Sequence, residues 1–136
     1  MEEVSCGVIP LKKEQNDWFV FLIQHKRGGH WGFPKGHLER KEEKKEAAFR
    51  ELLEETNLHV KKELLSEPLV ESYQFEKEGK TVYKKVYYFL AEVKGNFHLQ
   101  KEEIANGKWV TFAHAYALLT FAESKSLLQQ AELHLS

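Results

Sequence analysis

Arg50 to Leu58 read RELLEETNL, placing Glu51, Glu54 and Glu55 within a single helical turn. Like charges at i, i+3 and i+4 repel by about 0.2–0.5 kcal/mol per pair, a cost that a bound cation would reverse. Carboxylates spaced this way can converge on a hard divalent ion such as Mg²⁺, which takes oxygen ligands, keeps several waters and bridges protein to phosphate. Just upstream, KRGGHWGFPKGH (Lys26–His37) combines four glycines and a proline with lysine, arginine and histidine. That loop has backbone freedom and anion-friendly groups. An acidic helix beside a cationic loop supplies both halves of a site for metal-assisted phosphoryl chemistry. Taken alone, the acidic face can equally be solvated surface.

The elements around these residues must hold them in place. Val4–Leu11 and Trp18–His25 read as strands separated by a polar turn, the second so apolar that burial on both faces is expected. A helix is expected over Glu43 to Thr56, with Ala48, Phe49, Leu52 and Leu53 on a core face and the three glutamates on another. Asn57 suits a left-handed helix end. Pro68–Phe75 and Thr81–Val93 read as strands joined by EKEGK, Lys108–Phe112 as a short strand, and Ala113–Leu135 has helical spacing. Together they predict an α/β fold: one domain over 1–136, a mixed sheet with helices on both sides.

Composition bounds the partners. A chain of 136 residues, 42% hydrophobic and 30% charged, is expected to fold as one globular unit. The net charge of −1 offers no bulk attraction to nucleic acid or membrane, so any polyanion must be met by local basic groups. Cys6 is the single cysteine, which excludes an internal disulfide and fits a reducing cytoplasm; it reads as a small buried hydrophobe. No apolar run reaches the ~20 residues of a membrane span. His30 and His37 lack companions at zinc-ligand spacing.

From Gly36 the chain runs through five residues to Glu42, seven more to Arg50, and then into RELLEETNL. This pattern resembles the Nudix box, with Gly36, Glu42, Arg50, Glu51, Leu52, Glu54, Glu55 and Leu58 where that signature asks and Asn57 in place of its last glycine. The resemblance implies a Nudix α/β/α sandwich and a Mg²⁺- or Mn²⁺-dependent hydrolase that directs water onto a phosphorus. It implies Glu51, Glu54 and Glu55 as metal ligands, the Gly36 carbonyl as a further one, and Arg50 as the group that orients the glutamates. Glu42 has a weaker case as a ligand. Glu103 falls where the family places another acid, on a loop after the sheet, as an extra ligand or the base.

The flanks HWGFPKGH (His30–His37) and VYYFLAEVKG (Val86–Gly95) are similar to segments of the family's asymmetric diadenosine tetraphosphate hydrolases. This implies a small dinucleoside polyphosphate as substrate, met by His30, Lys35 and Lys84. Tyr73 and Phe75 share strand parity and, with Phe121, are candidates to stack on adenine, an interaction worth ~1–3 kcal/mol per base. Tyr88 shares parity with Lys84 and Val86 and is a further candidate for the pocket wall. Each ring can instead be core. Trp31 and Phe33 are expected to pin the loop against the sheet. Pyrophosphate removal from RNA 5′ ends, or from other nucleoside diphosphate derivatives, is an alternative, disfavoured by the lack of a basic stripe. A nucleotide sensor without turnover is another, disfavoured by the complete carboxylate set. A cytoplasmic monomer that engages neither membrane nor long nucleic acid is expected.

Overall fold

The computed structural model of the chain describes residues 1–135. Strand β1 (Glu2–Glu14) is the spine of the sheet. It runs parallel to β7 (Lys80–Lys94) on one edge, and its other edge pairs antiparallel with β2 (Asp17–His25) and, nearer its start, with β4 (Lys35–His37). Strand β2 carries β3 (Trp31–Gly32) and β8 (Ile104–Thr111), while β7 carries β5 (His59–Glu63) and β6 (Leu69–Lys77). The result is a mixed eight-stranded sheet among the described residues.

Alternation along the central strands splits the core in two. Cys6, Val8, Phe21, Ile23 and Phe89 face helix α1 (Lys44–Thr56), meeting its Ala47, Ala48 and Leu52. Ile9, Leu11, Val20, Val86 and Leu90 face the other way, onto Ala115 of α2 (Phe112–Leu118) and Leu127, Leu128 and Ala131 of α3 (Ala122–Leu135). Each strand of the spine is thus buried on both faces, which is why β2 reads as almost unbroken apolar sequence. The α/β layering with helices on both sides is the expected one.

Differences are local. Leu53, expected in the core, is 43% exposed, because the helix seats Ala47, Ala48 and Leu52 and turns Leu53 a further ~100° outward. The tail forms two helices rather than one, broken at Leu119, whose ψ of 131° is extended. Strands β3, β4 and β5 have no forerunner in the expected layout, being two, three and five residues long. Short β4 is held by close approach: a Cβ on Gly7 would overlap the Pro34 carbonyl oxygen and crowd Lys35. Cys6 is a free, fully buried thiol packed as a small hydrophobe.

Candidate active site

Helix α1 begins at a capping box, with the Glu43 N–H donating to Glu46 Oε1 at 3.2 Å. It ends at Asn57, which sits at φ 65°, ψ 12° and donates its N–H to the Leu53 carbonyl at 2.9 Å. Between these caps the three glutamates take unlike environments. Glu54 is exposed, Glu51 is half-buried, and Glu55 retains only 7% exposure. A merely solvated acidic stripe would not bury one of its carboxylates, since burial of an unpaired charge is costly.

Arg50 organises the cluster. Its Nε and Nη2 donate to the two oxygens of Glu42 at 2.6 and 3.0 Å, a bidentate pair. Nη1 donates to Glu51 at 2.8 Å and to Glu54 at 3.0 Å, and Nη2 also reaches the His37 carbonyl at 3.1 Å. The guanidinium therefore ties the loop before α1 to two helix glutamates and to β4. Glu42 is held by Arg50 and belongs to this scaffold.

Strand β4 closes on the same carboxylates from the other side. A Cβ at Gly36 would overlap the Glu51 carboxylate, so only glycine leaves that group its place. The Lys35 N–H donates to Glu55 Oε1 at 3.0 Å. Burial first, then the charges of Glu51 and Glu103, push the Glu55 carboxyl up to about 8, against the pull of the Lys35 N–H and ammonium. Burial, then Glu54 and Glu103, also raises Glu51, opposed by Arg50. Glu103 thus stands close enough to be felt by both. It lies in the turn leading into β8, within the run of strands and not after the sheet.

No three acid, imidazole or thiol groups among the described residues are gathered into a ready cage for an ion. Glu51 and Glu54 turn instead onto Arg50. The donor chemistry nevertheless fits a hard divalent cation. All the candidate donors are oxygens, and both the burial that raises Glu51 and Glu55 and the repulsion from neighbouring carboxylates that adds to it are what a dication would offset.

Across the sheet from α1 lies a cavity of about 330 Å³, walled by His30, Lys35, Glu71, Tyr73, Tyr88 and Phe121 among others. Tyr73 is 37% and Phe121 49% exposed, so two rings stand open at its mouth. Tyr88 is fully inside, edge-on to Phe33 at 5.6 Å. Phe33 and Trp31 are cavity walls as well as loop anchors, the Trp31 N–H donating to Thr120 Oγ1 at 2.8 Å. Phe121 owes its position to the break between α2 and α3, and its ring lies 5.4 Å from that of His30.

His30 also stacks on His25 at 4.2 Å. Burial and the neighbouring His30 and Lys35 charges push His25 down to about 4, and burial with Lys35 lowers His30. The pair therefore presents neutral imidazoles at pH 7, donors without charge. Phe75 does not reach the cavity wall; its ring lies 6.2 Å from that of Tyr73, one step along the strand. Lys84 lies opposite Tyr73 in the β6–β7 register, is nearly buried, and has its Nζ 3.5 Å from Glu3. It too stays outside the wall, yet its charge is felt by Lys35. Glu71, His25 and Glu123 also line the cavity and were not anticipated. Parity with Tyr73 could have indicated Glu71, but nothing local marks the other two.

A model of the NUDIX domain matches residues 1–130. A Caenorhabditis elegans protein named bis(5'-nucleosyl)-tetraphosphatase [asymmetrical] is 34% identical over 102 residues, 74% of this chain and 72% of that one. Its Mus musculus namesake is 32% identical over 136 residues, 93% and 90% of the two chains. The crystal structure of C. elegans Ap4A hydrolase superposes with a TM-score of 0.74 at 26% identity, covering 100% of both chains. With the family model spanning all but its last few residues and the glutamate-bearing helix inside that span, the chain belongs to the Nudix hydrolases.

Proposed function

We propose that this Nudix hydrolase splits bis(5'-nucleosyl) tetraphosphates asymmetrically, giving ATP and AMP from the diadenosine compound. The reading is carried by one residue that belongs to both halves of the site. The Lys35 N–H holds the buried carboxylate of Glu55 on α1, while Lys35 also lines the aromatic cavity. A base seated between Tyr73 and Phe121 has its phosphates led past Lys35 toward the carboxylates. The names of the two bis(5'-nucleosyl)-tetraphosphatases point to the same substrate class.

The chemistry follows from the arrangement. When bound, Mg²⁺ or Mn²⁺ lowers the pKa of water and offsets phosphate charge. Glu51, Glu54 and Glu55, with Glu103 and the Gly36 carbonyl, are the groups to hold it. Lys35 and Lys84 orient the polyphosphate as point charges, and His30 as a neutral donor. The water oxygen joins phosphorus as the bridge between one adenosine's phosphate and the other three breaks. A carboxylate of the cluster takes the water's proton, and the departing phosphate oxygen leaves as an anion with the electron pair of the broken bond, its charge offset by Lys35. Arg50 touches no substrate; it fixes Glu51 and Glu54.

The test is a substrate panel with Mg²⁺: dinucleoside polyphosphates, ADP-ribose, NADH, 8-oxo-dGTP and triphosphorylated RNA, with products identified by chromatography. The tetraphosphate is expected to show the highest kcat/KM, yielding ATP and AMP. ADP-ribose or the RNA in first place would overturn the substrate while leaving the family intact.

A further inference from the structure

Lys84 is an unusual lysine, buried to 8% exposure on a sheet face and within electrostatic reach of a second ammonium, that of Lys35. Lysine is rarely buried unless a counter-charge accompanies it. Here the counter-charge comes from Glu3, its direct partner in the parallel β1–β7 register, whose Oε1 lies 3.5 Å from Nζ. At that separation the contact is at the limit of a hydrogen bond, so the ammonium keeps donor capacity for another acceptor. Glu3 is itself well covered, with a side-chain exposure of 21% against 9% for Lys84. The pair is therefore less screened than a surface ion pair. Tyr73, facing Lys84 across the β6–β7 ladder, connects this spot to the cavity. The Lys84 ammonium, already paired with a carboxylate, lies within electrostatic reach of Lys35 in the cavity wall.

We propose that Glu3 is a specificity-determining residue that occupies Lys84 in place of phosphate and must give it up when the polyphosphate binds. The inference rests on the reading of Lys84 as a phosphate contact. Glu3 touches no reacting atom; it acts through Lys84, partnering that ammonium in the empty site, so that competition for Lys84 sets a threshold for anions that reach it. Ligands too short to reach Lys84 do not meet that threshold. Ligands long enough to reach it must displace Glu3, so binding exchanges one carboxylate for another anion.

Glu3→Gln keeps the shape and removes the charge. For the tetraphosphate, KM is expected to fall about five- to tenfold with kcat unchanged, tenfold being ~1.4 kcal/mol. KM should also become steeper in salt, while Glu3→Asp stays near wild type. In a Lys84→Ala background, Glu3→Gln should leave KM unmoved. An unchanged or raised KM in the single variant, with its melting temperature preserved, would overturn the proposal. The same decrease in the Lys84→Ala background would overturn it too. Calorimetry with inorganic tripolyphosphate provides a second arm independent of turnover: tighter binding by Glu3→Gln than by wild type is expected, and equal binding contradicts the role. If wild type ignores the tetraphosphate yet this arm behaves as expected, the substrate reading fails and the Glu3 inference stands.

Discussion

Glu55 combines burial with two negative neighbours, and its behaviour should govern the pH response of the metal-free protein above pH 6.5, where the opposite contribution of His25, held at about 4 in the fold, is already complete. Its carboxyl sits at about 8 in the fold against an ordinary value near 4.5. Between those values the folded chain holds a proton that the unfolded chain has released. The stabilising contribution is complete below 4.5 and is lost as pH rises toward 8. Glu55→Gln should flatten that decline in a set of chemical-denaturation curves; a slope that persists in the variant would place its origin elsewhere. Divalent-ion affinity should run the opposite way, rising with pH up to about 8 and releasing protons on binding. Arg50 sets a second expectation. Lysine cannot reproduce its bidentate grip on Glu42 together with its bonds to Glu51 and Glu54. Arg50→Lys should cost ~1.5–3 kcal/mol of stability, on the scale of hydrogen bonds to charged groups, and lower kcat more than KM.

Among the elements, the decisive junction is β4 against α1. Strand β4 is three residues long, with Gly36 passing directly beneath the Glu51 carboxylate. Gly36→Ala should leave the fold intact, because the atoms an added Cβ would meet are the end of the flexible Glu51 side chain and not backbone. It should push Glu51 aside and cut turnover by at least an order of magnitude; activity near wild type would show that Glu51 need not stand there. At the helix end, Asn57→Ala should lose ~1 kcal/mol from the left-handed cap, and Asn57→Gly much less. Thermal melts of the two variants compare them directly. The long elements were legible because their periodicity is carried by many residues: β1, β2, β7 and α1 all lie where their patterns put them. Strands β3 and β4 were not, since two or three residues have no period and their strand geometry comes from neighbours far along the chain. Polar HVKKE of β5 is ordered only by pairing with β7. For the same reason the spacing could mark Glu51, Glu54 and Glu55 as one group but not say which is buried. That is decided by Lys35 and Gly36 arriving from β4.

For the whole molecule, the sheet separates two candidate half-sites. Helix α1 and its carboxylates occupy one side, and the aromatic cavity beside the start of α3 opens on the other, with Lys35 at the junction. No helix among the described residues is long and apolar enough to cross a membrane. On the proposed reading the carboxylates hold a divalent ion in the native arrangement alone, so Mg²⁺ at a hundred times its dissociation constant should add ~2.7 kcal/mol to the stability, visible as a rise in melting temperature. The proposed reaction requires carboxylates of α1 to serve turnover through a divalent ion. Its most direct measurement is Mg²⁺-dependent hydrolysis of diadenosine tetraphosphate by Glu54→Gln and Glu55→Gln, beside nucleotide binding by the same proteins. Loss of hydrolysis by orders of magnitude with nucleotide binding retained is the predicted result. Turnover equal to wild type in either variant would contradict it.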